Sequence, residues 1–527
     1  MDAKENRRDD REQRTSAVSH RHSDSRPRRQ DELQQENEQL KREIEKLKEH
    51  LTERDRQLAE NEKQLAENEK QLADAEKQIA DLERRLAARR RNSTNSSKPP
   101  SSDGLAGEQR LRVKRKKSRR KPGGQKGHDG AHRPLVELER VDAVVAILPP
   151  ECKHCRHPLP QQLAAVQTVG DVHRHQVTEL PPIQAYITEY QCPKVLCPDC
   201  GKGTRAPLPE EFQDQSGPQL TALIAYLTVM CRMPRRVVHA FLENAFHISI
   251  SLGSTQKAWE ETSEAVREPY QELQQQLKNE RVLNSDETGW RNNGEKRWLW
   301  ALVAQSFVFY TVAANRSSEV LLHLLGAVFQ GVLCSDRAAA YLKYHKGKAQ
   351  WCWAHLKRNL LGILDFAKTT EAERFCRDAL ALHARLFRLW RRFRGDDAQR
   401  QQLVLKSLPL QKKFFELASR HVNSDDAEVC NLARVLFLHS ERLFTFLEVP
   451  GVEPTNNSVE RALRIAVQWR KVIFGNRSVN GEVATARLLT ATQTCKLQQR
   501  NALDYLTEAV RCHRRRLPAP SLLPQQR

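Results

Sequence analysis

A heptad register in the N-terminal part of the chain constrains its fold more than any other feature. Ile44, Leu51, Leu58, Leu65, Leu72, Ile79 and Leu86 recur at every seventh position, and Leu40, Leu47, Ala75 and Leu82 fall on the companion positions. This spacing lays an apolar seam along one side of a long helix, the a and d positions of a coiled coil. The heptad QLAENEK fills 57–63, repeats at 64–70 and decays to QLADAEK. Arg54, Asn61 and Asn68 fall on d positions, where polar groups weaken the seam but fix register and partner number. Residues 31–91 therefore read as a leucine-zipper-like coiled coil that joins two or more copies of the chain. A lone charged surface helix is the plainer alternative. Residues 1–30 are polar and charged and read as a disordered N-terminus.

The charge balance narrows the kind of partner. Lys and Arg number 87 against 66 Asp and Glu, a net charge of +21. Such an excess suits a polyanion, either nucleic acid or an anionic membrane. The longest apolar run, Trp298 to Ala314, is interrupted by Gln305 and Ser306, so no membrane span is expected. The N-terminus has no apolar core of a signal peptide, which predicts a cytoplasmic protein and leaves nucleic acid as the better partner. Residues 92–134 form a basic flexible linker that opens with NSTNSSKPPSSDG. From Arg110 to Lys121, nine of twelve residues are basic, with Lys114, Arg115, Lys116 and Lys117 in a row. A run of this kind cannot fold by burial but can lie along phosphates and release counterions.

Residues 135–205 read as short alternating strands with two cysteine pairs, Cys152/Cys155 in CKHC and Cys197/Cys200 in CPDC. A C-x-x-C turn lets two thiolates converge on one metal, and two turns supply the four sulfurs of a structural Zn²⁺ site. Cys192, His154 and His157 lie close in sequence and leave the ligand set open. A cytosolic location disfavours disulfides, and neither pair follows a strand and opens a helix as a redox C-x-x-C does.

Residues 206–280 read as helical, with Gln219–Met230, Arg235–Phe246 and a third helix from Ser254 capped by Ser249 or Ser251. The first two resemble a helix-turn-helix DNA reader. From 281 the pattern turns to strands: RVLNSDETGW, RWLWALVA and FVFYTVAA predict an antiparallel meander, GVLCSDRAAAY a fourth strand and AQWCWA a fifth. The stretch 366–450 is helical, and PTNNSVERALRIAVQWRK predicts a helix with Glu460 in its early turns.

Asp286 is expected at the end of the first strand and Asp336 at the end of the fourth. If these strands are parallel neighbours, both carboxylates emerge together, and Glu460 joins them from a helix laid across the sheet. Glu287 points to the other side of its strand, so Asp286 is preferred. Three converging carboxylates raise each other's pKa and call for cations. Two Mg²⁺ ions, for which Mn²⁺ can substitute, bind hard oxygens and keep open positions for water and phosphate.

These residues, in this order, resemble the IS-sixty-six family of bacterial insertion-sequence transposases over about residues 31–510. The resemblance rests on NSSKPPSSDG (95–104), KPGGQKGHDG (121–130), CPDCG (197–201), SLGS (251–254), SDETGW (285–290), RWLW (297–300), GVLCSDRAAAY (331–341), CWAHLKR (352–358) and TNNSVERALR (455–464). It implies a multidomain α/β protein: an N-terminal coiled coil, a small zinc-finger-like module and a helical DNA-binding region. A ribonuclease-H-like mixed-sheet core follows, split as 281–365 and 451–510 around a helical insertion at 366–450, with a C-terminal tail at 511–527. Carried over, the catalytic triad falls on Asp286, Asp336 and Glu460, with Cys352 and His355 beside it. Arg337, Arg461 and Arg464 become candidate DNA phosphate contacts. The implied activity is Mg²⁺-dependent cleavage and strand transfer at the element's terminal inverted repeats, in a nucleoid-associated bacterial protein that works alone or with accessory proteins of the same element. The rival readings are a dimeric zinc-containing DNA-binding regulator without activity, which has no need of the triad, and a nuclease that cleaves without joining.

Overall fold

The computed structural model describes residues 26–90, 92, 95, 134–181, 183–210, 213–393 and 397–524. The chain divides into a unit that ends at Arg90 and a second that continues from Arg91. The first is one helix, α1 (Arg26–Arg90). Glu, Gln, Lys, Leu and Ala sustain it by propensity, helped by i,i+4 pairs such as Glu38–Arg42 and Asp81–Arg85. The seam residues stand in solvent: Leu51, Leu65 and Leu72 are each over 60% exposed. Helical propensity thus forms α1, and its apolar seam is left uncovered.

In the second unit, residues 134–210 contain no buried residue among those described. The alternating strands expected here are not formed. The described residues hold one hairpin, β1 (Lys194–Leu196) antiparallel to β2 (Gly203–Arg205), and a bridge between Glu151 and Pro158. Strands need a face to bury, and this segment's apolar residues, Val144, Ile147, Val169, Val177, Tyr186 and Ile187 among them, remain exposed.

Helices α2 (Pro218–Val229), α3 (Arg235–Phe246) and α4 (Leu252–Ala265) form a trio around Ile224, Leu227, Val238, Leu242 and Ala258. Pro234 opens α3. His247 ends it in a left-handed conformation, with the N–H groups of His247 and Ile248 returning to the carbonyls of Glu243 and Leu242. Of the two serines expected to cap α4, Ser251 does so, accepting from the Ser254 N–H at 3.0 Å. Helix α5 (Arg267–Gln276) leads into the sheet.

That sheet has the order β5-β4-β3-β6-β7. Strands β3 (Val282–Asn292), β4 (Glu295–Val303) and β5 (Val308–Ala313) form the antiparallel meander; β6 (Val332–Ser335) and β7 (Ala349–Trp351) add in parallel. Helices α6 (Ser318–Leu325) and α7 (Ala339–Tyr344) flank β6 in sequence. Leu299, Leu302, Phe307, Phe309 and Leu333 lie in one core with Val459 and Leu463 of α13 (Asn457–Ile473), Leu488 of α14 (Val479–Leu497) and Leu506 of α15 (Ala502–Arg514). The edge strand β5 is covered by α14: Thr490 Oγ1 accepts from the Tyr310 N–H at 2.9 Å, and Thr494 bonds both main-chain groups of Val308 at 3.1 Å.

A second core lies between β6 and β7 on one side and, on the other, α8 (Trp353–Phe366), α9 (Thr370–Phe393), α10 (Asp397–Arg420), α11 (Ala427–Leu438) and α12 (Thr445–Glu448). Trp353 is its centre, edge-on to Phe414 and Phe444 and donating from Nε1 to the Leu443 carbonyl at 2.6 Å. The molecule is thus a multidomain α/β protein with a helical N-terminal region and a mixed-sheet core. Among the described residues, no helix is long and apolar enough to cross a membrane.

Candidate active site

The parallel pairing of β3 with β6 stops at Asn284↔Cys334. Asp286 and Asp336 follow, each two residues further along its own chain. Asp286 is not at the end of its strand, as expected from sequence, but inside the eleven-residue β3, which continues against β4. What ends beside it is β6, and that opens a notch at the sheet's carboxyl edge. Asp336 begins the loop there, with Oδ1 accepting from the Ala338 N–H at 2.8 Å, a side-chain-closed turn.

The notch concentrates negative charge. Burial, then the charges of Glu287, Asp336 and Glu460, push the Asp286 carboxyl well above its usual range, while a 2.9 Å bond from the Glu287 N–H works the other way. Glu287, set aside in favour of Asp286, is itself within electrostatic reach of Asp336. Its carboxylate is held by Arg316 at 2.7 Å and by the Tyr341 hydroxyl, which donates at 2.6 Å. Burial raises its pKa as well, against these two partners.

Glu460 enters from the first turn of α13, which crosses the sheet beside β3 and β4. Its Oε1 lies 2.9 Å from Arg358 Nη2 and 3.6 Å from His355 Nδ1. Arg358 thus grips the third carboxylate, a role that sequence reasoning missed although CWAHLKR contains it. The signal was the helical spacing of His355 and Arg358, which puts both on one face of α8. Burial and the Arg358 charge hold the His355 imidazole below its ordinary pKa, and Nδ1 has no hydrogen-bond partner among the described residues.

Two donor sets could hold a metal. Single ligand atoms of Cys352, His355 and Glu460 lie within 4.8 Å of one another. Arg358 already places a fixed cation among them, so this set as arranged neutralises Glu460 without an ion. The other set, the oxygens of Asp286, Asp336 and Glu460, lies within electrostatic reach but does not converge within 4.8 Å among the described residues, since Glu460 is held by Arg358. Oxygen donors that repel one another suit a hard divalent cation, and one that took all three would have to draw Glu460 off Arg358.

The candidate DNA contacts separate. Arg461 and Arg464 are exposed on α13. Arg337 is half-buried: burial brings its pKa down to about 10, and Nη1 has no partner among the described residues. With the Asn359 amide turned to satisfy both neighbours, its oxygen accepts from Arg337 Nη2 at 3.2 Å. A guanidinium so held beside Asp336 is a local countercharge. It lines a cavity of about 500 Å³ with Asn95, Asn359, Gly362 and Asn431. Lys114, Arg115, Lys116 and Lys117 lie outside the described residues.

The cysteine turns share one pattern. The Cys152 N–H donates to the His157 carbonyl and the Arg156 N–H to the Cys152 carbonyl; the Cys197 N–H donates to Lys202 and the Gly201 N–H to Cys197, all at 2.9 Å. Arg156 and Gly201 take the positive φ each turn requires, 57° and 65°. Backbone N–H groups of Cys155 and His154 aim at the Cys152 sulfur, and those of Cys200 and Asp199 at the Cys197 sulfur, lowering both thiol pKa values. Each pair is drawn together, but the two pairs do not converge on one another. Cys192 is half-buried and joins neither pair.

The uncharacterized protein y4qI of Sinorhizobium fredii is 29% identical over 239 residues, which are 41% of this chain and 43% of that protein, so the match spans less than half of its length. Residues 63–134 match DUF6444, a family of unknown function. Residues 213–484, more than half of the chain and inclusive of Asp286, Asp336 and Glu460, match the transposase IS66 family, and the chain belongs to that family.

Proposed function

We propose that this protein is a DNA transposase that binds the terminal inverted repeats of an insertion sequence and cleaves and joins DNA strands at Asp286, Asp336 and Glu460. The observation that carries the reading is the pair of aspartates at matched positions beyond parallel β3 and β6, with Glu460 close enough to raise the Asp286 pKa. The strand order β5-β4-β3-β6-β7, with its first three strands antiparallel and the last two parallel, supports a ribonuclease-H-like core, and α9 to α12 the insertion within it.

The three carboxylates would hold two Mg²⁺ ions, which when bound supply the charge that acidifies an attacking hydroxyl and neutralises a leaving oxygen at phosphorus. The chain's own contribution is placement. Tyr341 and Arg316 keep Glu287 out of the ligand set, and Arg337 offsets the charge of Asp336 from behind. Arg461 and Arg464 contact the DNA backbone beside Glu460, and the basic run at 110–121 adds phosphate contacts that make binding strongly salt-dependent. Helices α2 and α3 act as the helix-turn-helix. The two cysteine turns would bind structural Zn²⁺ through Cys152, Cys155, Cys197 and Cys200, the ion drawing together two pairs that stand apart without it. The exposed seam of α1 pairs with a second copy, giving at least a dimer.

The test is a cleavage and strand-transfer assay with Mg²⁺ on DNA carrying the element's ends, with its accessory proteins added in a parallel reaction. Wild type should cut and join, while Asp286→Asn, Asp336→Asn and Glu460→Gln should bind the ends normally and do neither. Variants that match wild type would remove the triad assignment. A wild type that binds but stays inert in both reactions would leave a DNA-binding regulator.

A further inference from the structure

The three carboxylates sit on three different elements, so something must hold those elements in register. Asn456, the residue preceding α13, bonds directly to two of them and reaches the third through Cys352. It is 1% exposed. Its Nδ2 donates to the Ser285 carbonyl at 2.8 Å, one residue before Asp286. Its main-chain N–H donates to the Cys352 sulfur at 3.2 Å. Cys352 in turn donates its own N–H to the Ser335 carbonyl at 2.9 Å, one residue before Asp336. On the third side, the Asn456 carbonyl accepts from the Glu460 N–H at 3.3 Å and so starts the helical turn that carries Glu460.

We infer that Asn456 is a positioning residue that locks Asp286, Asp336 and Glu460 into one constellation, with the Cys352 sulfur as its intermediary to Asp336. The inference deepens the function proposed above and rests on it for the role of the carboxylates. Three features argue for position over mere packing. Each of its three links leads, directly or through Cys352, to the main chain of a carboxylate-bearing residue or of the residue before one. The side-chain bond reaches a main-chain carbonyl, which no change at position 285 can replace. And Asn456 Oδ1 is buried with no hydrogen-bond partner among the described residues, an uncompensated acceptor that an apolar residue of similar shape would not carry. A residue kept for stability alone would not leave that atom unpaired. Cys352 gains a role as well. It stands at the N-cap position of α8, and its sulfur ties the start of that helix to α13 through the Asn456 N–H.

The test measures divalent-ion binding separately from turnover. Full-length wild type, Asn456→Leu (close in shape, without the donor), Asn456→Ala and Cys352→Ala are titrated with Mg²⁺ while the unfolding midpoint is followed. DNA affinity is measured in parallel by fluorescence anisotropy. A displaced ligand-positioning group typically weakens metal affinity by about 10-fold to 100-fold, so the Mg²⁺ half-saturation of Asn456→Leu should rise at least about 10-fold. Its DNA affinity should stay within about 2-fold, since no DNA contact is removed. Cys352→Ala should shift the same way by less, because it loses only the link to Asp336. If Asn456→Leu does not fold, Asn456→Ala and Cys352→Ala carry the same reading. A variant that is less stable without Mg²⁺ yet saturates at the wild-type concentration would make Asn456 a packing residue and overturn the inference. The ion titration does not depend on strand transfer. A wild type that binds Mg²⁺ and leaves DNA intact therefore removes the proposed function and not this role.

Discussion

Asp286 and Asp336 stand level with one another on neighbouring parallel strands, each two residues beyond the last pair, Asn284↔Cys334. One strand stops there and the other continues, so the carboxylates face a gap in the sheet. Without a cation that gap is strained electrostatically. Burial comes first among the causes that raise the Asp286 pKa, and the neighbouring carboxylates add to it.

That strain predicts that Asp286→Asn stabilises the metal-free protein. The folded-state pKa lies above the ordinary value of 3.8. The proton-linked contribution is therefore fully present below that value and is lost as pH rises through the raised one. At neutral pH wild type bears the penalty of a buried carboxyl group among like charges, and the amide does not, so the variant should be the more stable. Urea unfolding in excess EDTA at pH 7 and pH 4.5 reads it. The advantage of the variant should shrink at the lower pH; a variant less stable at both would mean that Asp286 is compensated by a group not identified here.

Much of this site was legible in the sequence because β periodicity and short connections decide which strands neighbour. The three antiparallel runs and both later strands were readable, and so were the helices that carry His355 and Glu460. What escaped was set by side-chain direction. Nothing in the order of residues says that Arg358 reaches across to Glu460, or that Arg337, next to Asp336, turns inward. Residues 134–210 failed for a different reason: alternation predicts strands only where one face is buried, and here neither face is.

The same lack of a core predicts that residues 134–210 depend on metal. A segment with no buried residue among those described has little hydrophobic stabilisation of its own. Two preformed C-x-x-C turns with lowered thiol pKa values are suited to Zn²⁺, whose binding energy then becomes folding energy. Protein purified under reducing conditions should carry one Zn²⁺ per chain, and Cys152→Ser or Cys197→Ser should remove it. Amide exchange across 134–210 should then accelerate by about 10-fold or more while β3 to β7 stay protected. Full zinc occupancy in both variants would move the ligand set to Cys192 or the neighbouring histidines.

Gly362 predicts a contact between the start of the linker and the core. A Cβ built on Gly362 would lie 2.4 Å from the Asn95 carbonyl oxygen, a backbone atom that cannot swing aside. Asn95 is 5% exposed, and its Nδ2 donates to Asp365 at 2.9 Å one helical turn along α8. Gly362→Ala should expel Asn95 from the core at a cost of about 1–3 kcal/mol. Asp365→Ala should weaken the same contact, so the double variant should lose less than the sum of the two singles. Strict additivity in urea unfolding would show that Asn95 leaves the core freely and that Gly362 serves another purpose.

His383 predicts where the helical insertion gives way in acid. Its ring stacks on Phe387 at 4.3 Å and lies 5.8 Å from Trp353, the centre of the second core. Burial, aided by Lys357, brings its pKa from 6.5 down to about 4. A histidine with a depressed folded-state pKa contributes stability that is present above the unfolded value and is lost as pH falls through the folded one. The window is therefore pH 6.5 to about 4. Across it the loss approaches roughly 3 kcal/mol, the equivalent of the full shift. The insertion should open before the sheet does, since His383, the most strongly depressed histidine among the described residues, lies in the second core. Tryptophan fluorescence, to which Trp351, Trp353 and Trp390 contribute from this core, should report the change. His383→Phe keeps an aromatic ring in the stack and removes the titrating nitrogen, so its unfolding midpoint should vary less between pH 7 and pH 4. Parallel pH profiles for wild type and variant would assign the acid sensitivity to another group.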